Sequence, residues 1–327
     1  MNIHVSTCAA AEVVQTFPSF IGAAAMTRKI VKTPAGERRR APGPWGPERR
    51  LEFIDFRLQW DGRLNRSDLM EHFGISVPQA SADIAAYAEM APDNLAYDRS
   101  ARVYVAPSGF APVFPSTSAE HYLNDLLALN AKVLPPEGSF VGWSPSVAMA
   151  ASPARSVPPA ILVSVVKAIR RRGAVQLLYQ SMSRPEPSWR EVSPHALGHD
   201  GFRWHIRAFC HARGAFRDFV FARALELREA GPTTVQSEDD EAWHTPVKLV
   251  LEPNAGLSAS KKKVVELDYG MTNGQVILET RQAMLYYVLQ RLGLSRDGEV
   301  RPEAQQIQLK NASEVKAILE GLAKSYD

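Results

Sequence analysis

The chain has 327 residues, enough for two or three domains, and its 45% hydrophobic and 22% charged content is typical of soluble globular proteins. Its formal net charge of +3 neither requires nor excludes a nucleic-acid partner. No apolar run approaches the roughly 20 residues that span a bilayer, so the sequence predicts no membrane contact. The two cysteines, Cys8 and Cys210, are far apart and lack neighbours at metal-ligand spacing. We therefore expect a cytoplasmic protein without a metal or another cofactor.

The first 47 residues end in a basic triplet, Arg38, Arg39 and Arg40, followed by a dense run of proline and glycine. Such a run cannot continue a helix or a strand ladder. The composition predicts a disordered or partly helical arm over residues 1–47, with one helix near residues 9–14. The triplet is either part of a solvated tail or a contact to DNA phosphates.

Residues 48–110 have the pattern of three helices followed by a β-hairpin. Asn65 is a suitable N-cap for the second helix, which Gly74 should end, and Ser76 is a suitable N-cap for the third. Two short β-like runs follow between residues 95 and 106. This order predicts a winged helix-turn-helix domain, with the third helix as the recognition helix.

The first turns of a recognition helix contact base edges in the major groove. Gln79 can pair bidentately with adenine, and the hydroxyls of Ser76 and Ser81 suit phosphates or bases. The positions expected to point outward are Ser76, Pro78, Gln79, Ala82 and Asp83. Arginines at the second helix and in the wing would lie where phosphates pass. The predicted DNA-binding residues are Arg66, Ser76, Pro78, Gln79, Ser81, Ala82, Arg99 and Arg102.

The charge of this segment favours a different function. Residues 49–105 hold seven arginines and nine carboxylates, which leaves a net charge of −2. DNA-binding modules are usually basic. A trihelical protein-interaction domain is therefore the alternative for these residues.

Residues 160–230 carry twelve lysine and arginine residues and six carboxylates. Their pattern predicts a helix at residues 160–172 and four strands, at residues 174–180, 188–195, 202–211 and 216–222. Alternation along the third strand places Trp204 on the core face, and His205 and Arg207 on the opposite face. Guanidinium groups bind phosphates and flat side chains stack on bases, so the opposite face suggests a nucleotide platform. A half-solvated strand face is the alternative.

A set of residues on these strands matches a known pattern: Tyr179, the run from Arg190 to His195, Gly201, Trp204-His205-Ile206, Arg207 and Arg217-Asp218-Phe219 ahead of Arg223. With them, residues 160–227 resemble a WYL domain, a family named for a Trp-Tyr-Leu triplet of which only the tryptophan is kept here. The resemblance implies a small Sm-like β-barrel. It also implies a ligand-binding set, carried over by position: Tyr179, Arg190, Ser193, His195, His205, Arg207, Arg217 and Arg223.

Such regulators carry a winged helix-turn-helix before the WYL domain and a dimerisation extension after it. The resemblance therefore implies an α+β multidomain protein with the winged helix-turn-helix at residues 48–110 and the Sm-like β-barrel (WYL) domain at residues 159–232. Residues 111–158 are expected to be a linker with a helix near residues 119–132, and residues 243–327 a small α/β C-terminal dimerisation domain. The chain resembles in particular repressors encoded beside bacterial anti-phage defence systems, which bind operators as homodimers.

The C-terminal residues predict strands at 248–251, 264–269 and 275–280 and helices at 282–292 and 312–326. One helix carries apolar and aromatic residues that we expect to form the dimer surface: Tyr286, Tyr287, Leu289 and Leu292. A loop at residues 233–241 is expected to separate this domain from the barrel.

No catalytic constellation is visible, because Ser193 and His195 lack a third orienting group and the sequence has no dinucleotide or Walker-type motif. The sequence predicts a ligand-responsive repressor of a defence-related operon. It would bind a double-stranded inverted-repeat operator as a homodimer and take a nucleotide or single-stranded nucleic acid as its ligand. The alternatives are a nucleic-acid- or nucleotide-sensing accessory protein without operator binding and a nucleotide-processing enzyme.

Overall fold

The computed structural model describes residues 46–150, 153, 155–295 and 300–326. It divides into two compact units, one up to Ala150 and one from Ala151 onward. The predicted N-terminal arm, apart from its last two residues, and Cys8 lie outside the described residues. Cys210 is a free cysteine in the core of the second unit. None of the helices in the described ranges is long and apolar enough to cross a membrane.

The first unit contains a three-helix domain with a small sheet, as the sequence predicts. Its elements are α1 (Pro47–Asp61), β1 (Arg63–Leu64), α2 (Arg66–Phe73), α3 (Val77–Met90), β2 (Ala96–Asp98) and β3 (Val103–Val105), with strand order β1-β3-β2. The cap signals are confirmed. The Asp68 carboxylate accepts a hydrogen bond from the Asn65 backbone N–H at 2.7 Å, and Gly74 ends α2 with a φ of 66°. Ser76 Oγ accepts from the Gln79 N–H at 3.4 Å, so it starts α3.

The core of this domain also includes residues beyond the wing. The segment expected as a linker holds α4 (Ala119–Asn130), and its Phe140 is buried edge-on against Phe53 at 5.3 Å between ring centroids. Trp60 of α1 stacks on Tyr122 of α4 at 4.2 Å. Burial of these aromatic rings makes residues up to Val141 part of the packing of the first domain.

A buried carboxylate joins α1 to the same segment. Asp55 accepts hydrogen bonds from the Tyr87 hydroxyl at 2.5 Å, from Thr117 Oγ1 at 2.7 Å and from the backbone N–H of Phe114 at 3.1 Å. Burial and the bond to Asp55 raise the pKa of Tyr87 above its usual range. These bonds satisfy a charge that would otherwise be costly to bury.

The second unit begins with a helix and a five-stranded antiparallel sheet. Its elements are α5 (Pro159–Arg171), β4 (Gly173–Tyr179), β5 (Ser188–His199), β6 (Trp204–Cys210), β7 (Ala215–Val220) and β8 (Ala224–Pro232), with strand order β7-β6-β5-β4-β8. Register shifts in the β4–β8 and β5–β6 pairs bend the sheet. The Val220 N–H donates to the Tyr179 hydroxyl at 3.1 Å, so the end of β7 reaches the end of β4. This is the WYL-type barrel that the resemblance implies, with a fifth strand, β8, that the sequence pattern missed.

The rest of the second unit is a smaller α/β domain. Its elements are α6 (Glu241–His244), β9 (Pro246–Pro253), α7 (Ala259–Asp268), β10 (Val276–Arg281), α8 (Leu285–Arg291), β11 (Ile307–Leu309) and α9 (Ala312–Tyr326), with strand order β10-β9-β11. The expected strand at residues 264–269 is wrong, because residues 264–268 belong to α7 and Tyr269 is its C-cap. Val265 packs into the core at 4% exposure while Val264 is 56% exposed. Ser258 before the helix is a favourable N-cap residue.

The expected dimer surface on α8 also needs correction. Leu289 is buried in the core of the C-terminal domain together with Leu285, one turn earlier. Tyr287 packs against the barrel, with its ring 4.8 Å from that of His205. Only Tyr286 of the predicted four is largely exposed, so most of this face is used within the chain itself.

Candidate DNA interface and ligand cavity

The start of α3 presents most of the residues predicted to contact DNA. Ser76, Pro78, Gln79 and Ala82 are exposed, and Ser81 is half-buried. Ala80 is fully buried against the first domain's core, which lets α3 pack closely there. The helix therefore offers its N-terminal turns to solvent, the geometry that a recognition helix requires.

Asp83 does not point outward, contrary to the sequence prediction. It is 5% exposed, and its two carboxylate oxygens accept hydrogen bonds from Arg50 Nε at 2.7 Å and Nη2 at 3.0 Å. It also accepts from Gln79 Nε2 at 2.9 Å. The helical periodicity of α3 could not predict this pairing, because Arg50 lies on α1, 33 positions away.

The predicted phosphate contacts lie on the exposed wing and beside it. Arg66, at the start of α2, approaches the Tyr104 hydroxyl on β3 at 3.4 Å, and this hydrogen bond raises the pKa of Arg66. Arg99 and Arg102 are exposed in the turn between β2 and β3. The Asp98 carboxylate forms that turn by accepting from the backbone N–H of Ser100 at 2.8 Å. The wing arginines are thus accessible to a phosphate backbone.

Ion pairs and burial account for only part of the net charge of −2. Asp83 is paired with Arg50 and Asp61 with Arg57, so these pairs add no net charge, and Asp55 is buried and hydrogen-bonded. These three carboxylates do not lie on the exposed surface of α3 or of the wing. Five arginines and six carboxylates remain in the segment, so the case for DNA contact rests on the positions of the wing arginines and not on the total charge.

Three of the eight predicted ligand residues come together at one cavity of about 440 Å³. Tyr179, Arg190 and Arg217 line it from the barrel strands, and the Arg190 guanidinium lies 5.6 Å from the centre of the Tyr179 ring. The remaining lining residues are Asp218, Phe219, Gln282, Ala283, Tyr286, Tyr287, Leu319, Leu322 and Ala323. The cavity therefore combines two guanidiniums with aromatic rings, and the C-terminal domain forms one side of it.

Arg207 does not face this cavity as a free guanidinium. It is 1% exposed, and it donates to Asp240 from Nε at 2.7 Å and from Nη2 at 2.9 Å. A third bond runs from Nη1 to Asp218 at 3.3 Å. The guanidinium of Arg207 is therefore not open to a phosphate on this face of β6, contrary to the predicted nucleotide platform. The residue missed is Asp240, which lies in the loop at residues 233–241 that was expected only to separate two domains.

His195 belongs to the same buried network. Its Nε2 lies 2.8 Å from Asp240 Oδ2. Burial opposes ionisation of Asp240, but the hydrogen bonds from Arg207 and His195 prevail and lower its pKa to about 2. Asp240 is therefore charged at neutral pH and holds both side chains in place.

His205 is likewise buried rather than solvated. Its Nε2 lies 2.9 Å from the Asp200 carboxylate, which also accepts from Arg203 Nε at 2.8 Å. Although burial opposes ionisation, these bonds hold the pKa of Asp200 well below its usual range. Trp204, expected in the core, is 48% exposed. It lies at the first residue of β6, where it packs on His199, while the apolar core begins at Ile206.

The last predicted ligand residues lie elsewhere. Ser193 and His195 line a second cavity of about 200 Å³, which Arg172 and Thr233 share. Ser193 Oγ lies 2.8 Å from His211 Nε2 and donates to Thr233 Oγ1 at 2.8 Å. Arg223 lies in the helical turn Phe221–Arg223, outside the lining of both cavities. The structure therefore distributes seven of the eight predicted residues over two cavities and buried ionic contacts, and it places Arg223 apart from them.

Potential metal ligands are not gathered in the part of the chain that the structure describes. No group of three histidine, cysteine, aspartate or glutamate side chains there could hold a metal ion.

Comparisons with protein families match three consecutive parts of the chain. Residues 46–128 match the BrxR transcriptional regulator winged helix-turn-helix domain, residues 160–229 the WYL domain, and residues 246–315 the BrxR transcriptional regulator C-terminal dimerization domain. These matches agree with the three folded domains described above.

Three relatives share almost half of the residues. The chain is 47% identical to the DNA-binding transcriptional repressor CapW of Escherichia coli (strain KTE188), over 84% of this chain and 92% of that protein. CapW of Pseudomonas aeruginosa is 47% identical over 84% and 93%, and CapW of Stenotrophomonas maltophilia 46% identical over 83% and 92%. A solved structure, proteasome accessory factor B/C (PafBC) of Arthrobacter aurescens, is 18% identical with a TM-score of 0.24, over 91% of this chain and 52% of that chain. A likeness this distant supports no conclusion about this chain.

Proposed function

Because this chain belongs to the family of the DNA-binding transcriptional repressor CapW, we propose that it represses transcription as a homodimer bound to an inverted-repeat operator. The observation that carries the proposal is the exposed N-terminal surface of α3, flanked by arginines of the wing. One helix-turn-helix per chain matches one half-site, so a two-fold dimer requires two half-sites about one or more helical turns apart. The regulated operon, by the resemblance, is a defence-related one.

Operator binding is tested with the DNA upstream of the protein's own gene. The full-length chain is titrated into that duplex and into a scrambled duplex of equal length and composition. We expect a tight complex with two chains per upstream duplex and weak, salt-sensitive binding to the scrambled one. Equal affinity for both duplexes would favour an accessory protein that senses nucleotides without an operator.

We further propose that the 440 Å³ cavity binds a phosphate-bearing ligand, a nucleotide or a short single-stranded oligonucleotide. Arg190 and Arg217 supply guanidiniums for a phosphate, and Tyr179 and Tyr286 supply rings on which a base can stack. The cavity volume lies within the range usual for small-molecule sites. The buried Arg207 has a structural role, because it donates hydrogen bonds to Asp218 of the cavity lining and to Asp240 of the loop.

The position of the cavity supports a signalling role. Its lining comes from the barrel on one side and from α8 and α9 of the C-terminal domain on the other. A ligand that contacts both sides stabilises one arrangement of the two domains relative to others. If that arrangement differs in DNA affinity, occupancy changes operator binding by the same coupling free energy, typically about 1–3 kcal/mol.

Calorimetry with nucleotides and with short single-stranded oligonucleotides tests the ligand site. Arg217→Ala should abolish ligand binding and leave ligand-free operator affinity unchanged. Arg213→Ala is the matched control, because Arg213 is exposed in the turn after β6 and outside the cavity lining. The ligand assignment fails if neither class of compound binds, or if the two variants lose binding equally.

A further inference from the structure

A buried ion pair beside the recognition helix α3 fixes the orientation of the Gln79 side-chain amide, the predicted base contact. Arg50 of α1 donates hydrogen bonds to both carboxylate oxygens of Asp83. Gln79 Nε2 donates to the same carboxylate at 2.9 Å. The Arg50 and Asp83 side chains are 11% and 6% exposed, so this pair is largely shielded from water, whereas Gln79 is exposed. The pair lies directly behind the predicted base-reading residue.

The chemistry of a carboxylate decides which end of the amide faces it. An ionised carboxylate can only accept hydrogen bonds, so the NH₂ group of Gln79 must face Asp83 and the carbonyl oxygen must face away. Arg50, paired with both carboxylate oxygens, holds Asp83 in place. The amide therefore keeps an acceptor and one N–H for an outside partner.

We propose that Asp83, held by Arg50, is a positioning residue that sets the base preference of Gln79. An amide with one acceptor and one donor matches the N6 amino group and N7 of adenine in the major groove. A flipped amide would turn its NH₂ group, with two donors, toward the bases, which suits the two acceptors O6 and N7 of guanine. The orientation imposed by Asp83 selects the first of these. This inference rests on the proposed operator binding by α3.

The substitution Asp83→Asn should reverse the orientation of the Gln79 amide. The amide introduced at position 83 has one carbonyl oxygen for the two N–H groups of Arg50. With that oxygen on Arg50 Nε, its NH₂ group takes the position that Gln79 shares with Arg50 Nη2 and faces Gln79. The carbonyl oxygen of Gln79 then accepts that bond, and its NH₂ group faces outward. We expect the preference at one operator base pair to shift from adenine toward guanine, by roughly tenfold, which corresponds to about 1.4 kcal/mol.

The experiment uses the full-length chain and selection from a randomised duplex library, followed by titration of duplexes that differ at the single selected base pair. Wild type should select adenine at one position per half-site, and Asp83→Asn should select guanine there. Glu89→Gln is the matched control, because it removes one carboxylate from an exposed position at the end of the same helix. It should leave the selected base unchanged.

A double substitution separates positioning from folding. Gln79→Ala should remove the preference at that base pair, and adding Asp83→Asn to Gln79→Ala should change nothing further at it. A purely structural Asp83 would lower affinity for every duplex equally and keep adenine, which overturns the proposal. Loss of all sequence selection by wild type would instead refute the operator function itself. If Asp83→Asn lowers the melting temperature, Arg50→Lys gives a second measurement. Lysine cannot bind both oxygens of Asp83 with a planar guanidinium, so we expect a weakened preference for adenine.

Discussion

Replacing Arg207 with alanine should damage the stability of the second unit rather than ligand recognition alone. Arg207 makes two hydrogen bonds to Asp240 and one to Asp218, and both carboxylates would remain in the folded state. Within the part of the chain that the structure describes, Asp240, 1% exposed, would keep the contact with His195 and the hydrogen bond from the Trp243 backbone N–H at 3.3 Å. Removing one partner of a buried ion pair costs about 3–5 kcal/mol. Because His195 remains, we expect a loss near the lower end, about 3 kcal/mol.

Chemical denaturation of the full-length chain measures this loss, with tryptophan fluorescence as the signal. Trp243, whose backbone N–H donates to Asp240, contributes to that signal. Arg213→Ala should change the free energy of unfolding by less than about 0.5 kcal/mol, as exposed substitutions usually do. In the double variant Arg207→Ala with Asp240→Asn, part of the loss should be recovered, since the stranded charge is gone. A stable Arg207→Ala protein that has lost only its ligand would refute the structural role argued here and restore Arg207 to the ligand site.

Three further outcomes are expected. Gln79→Ala should weaken binding to the selected operator by about 1–3 kcal/mol, which competition titrations with single-base variants would measure, and unchanged affinity would remove Gln79 from base reading. Arg102→Ala should weaken binding to all duplexes alike and lower the salt slope by about one, and a sequence-dependent effect would contradict a phosphate contact. The pKa of Asp240 is lowered from 3.8 to about 2, so its charge stabilises the fold fully above pH 3.8 and progressively less as the pH falls toward 2. The stability gap between wild type and Asp240→Asn should therefore close between about pH 4 and pH 2, and a constant gap would contradict the ion pair.

The sequence predicted the structure well where the residues that determine it interact with near neighbours in the chain. Asn65, Gly74 and Ser76 act on backbone groups within four residues of themselves, so the boundaries of α2 and α3 could be predicted from chain order alone. The barrel strands followed from alternation and from the resemblance. In contrast, β8 carries charged residues such as Glu226 and Arg228 on an edge, and it gave no apolar pattern.

The candidate site was less predictable because its partners are distant in sequence. Alternation correctly separated Arg207 from Ile206, but it implied that the second face of β6 meets solvent. Asp240, 33 residues further along the chain, covers that face. Its carboxylate binds Arg207, which was predicted to bind ligand and instead has a structural role. The same limit applies to Arg50 and Asp83, whose pairing depends on the crossing of α1 and α3.

The central claim is that the exposed turns of α3 recognise one operator as part of a dimer. A fluorescence anisotropy titration of the upstream duplex with the full-length chain, repeated with a scrambled duplex at the same salt concentration, tests it most directly. We expect saturation at two chains per duplex and an affinity at least about 10³-fold above that for the scrambled sequence. Equal affinity for the two duplexes, or saturation at one chain per duplex, would contradict the claim.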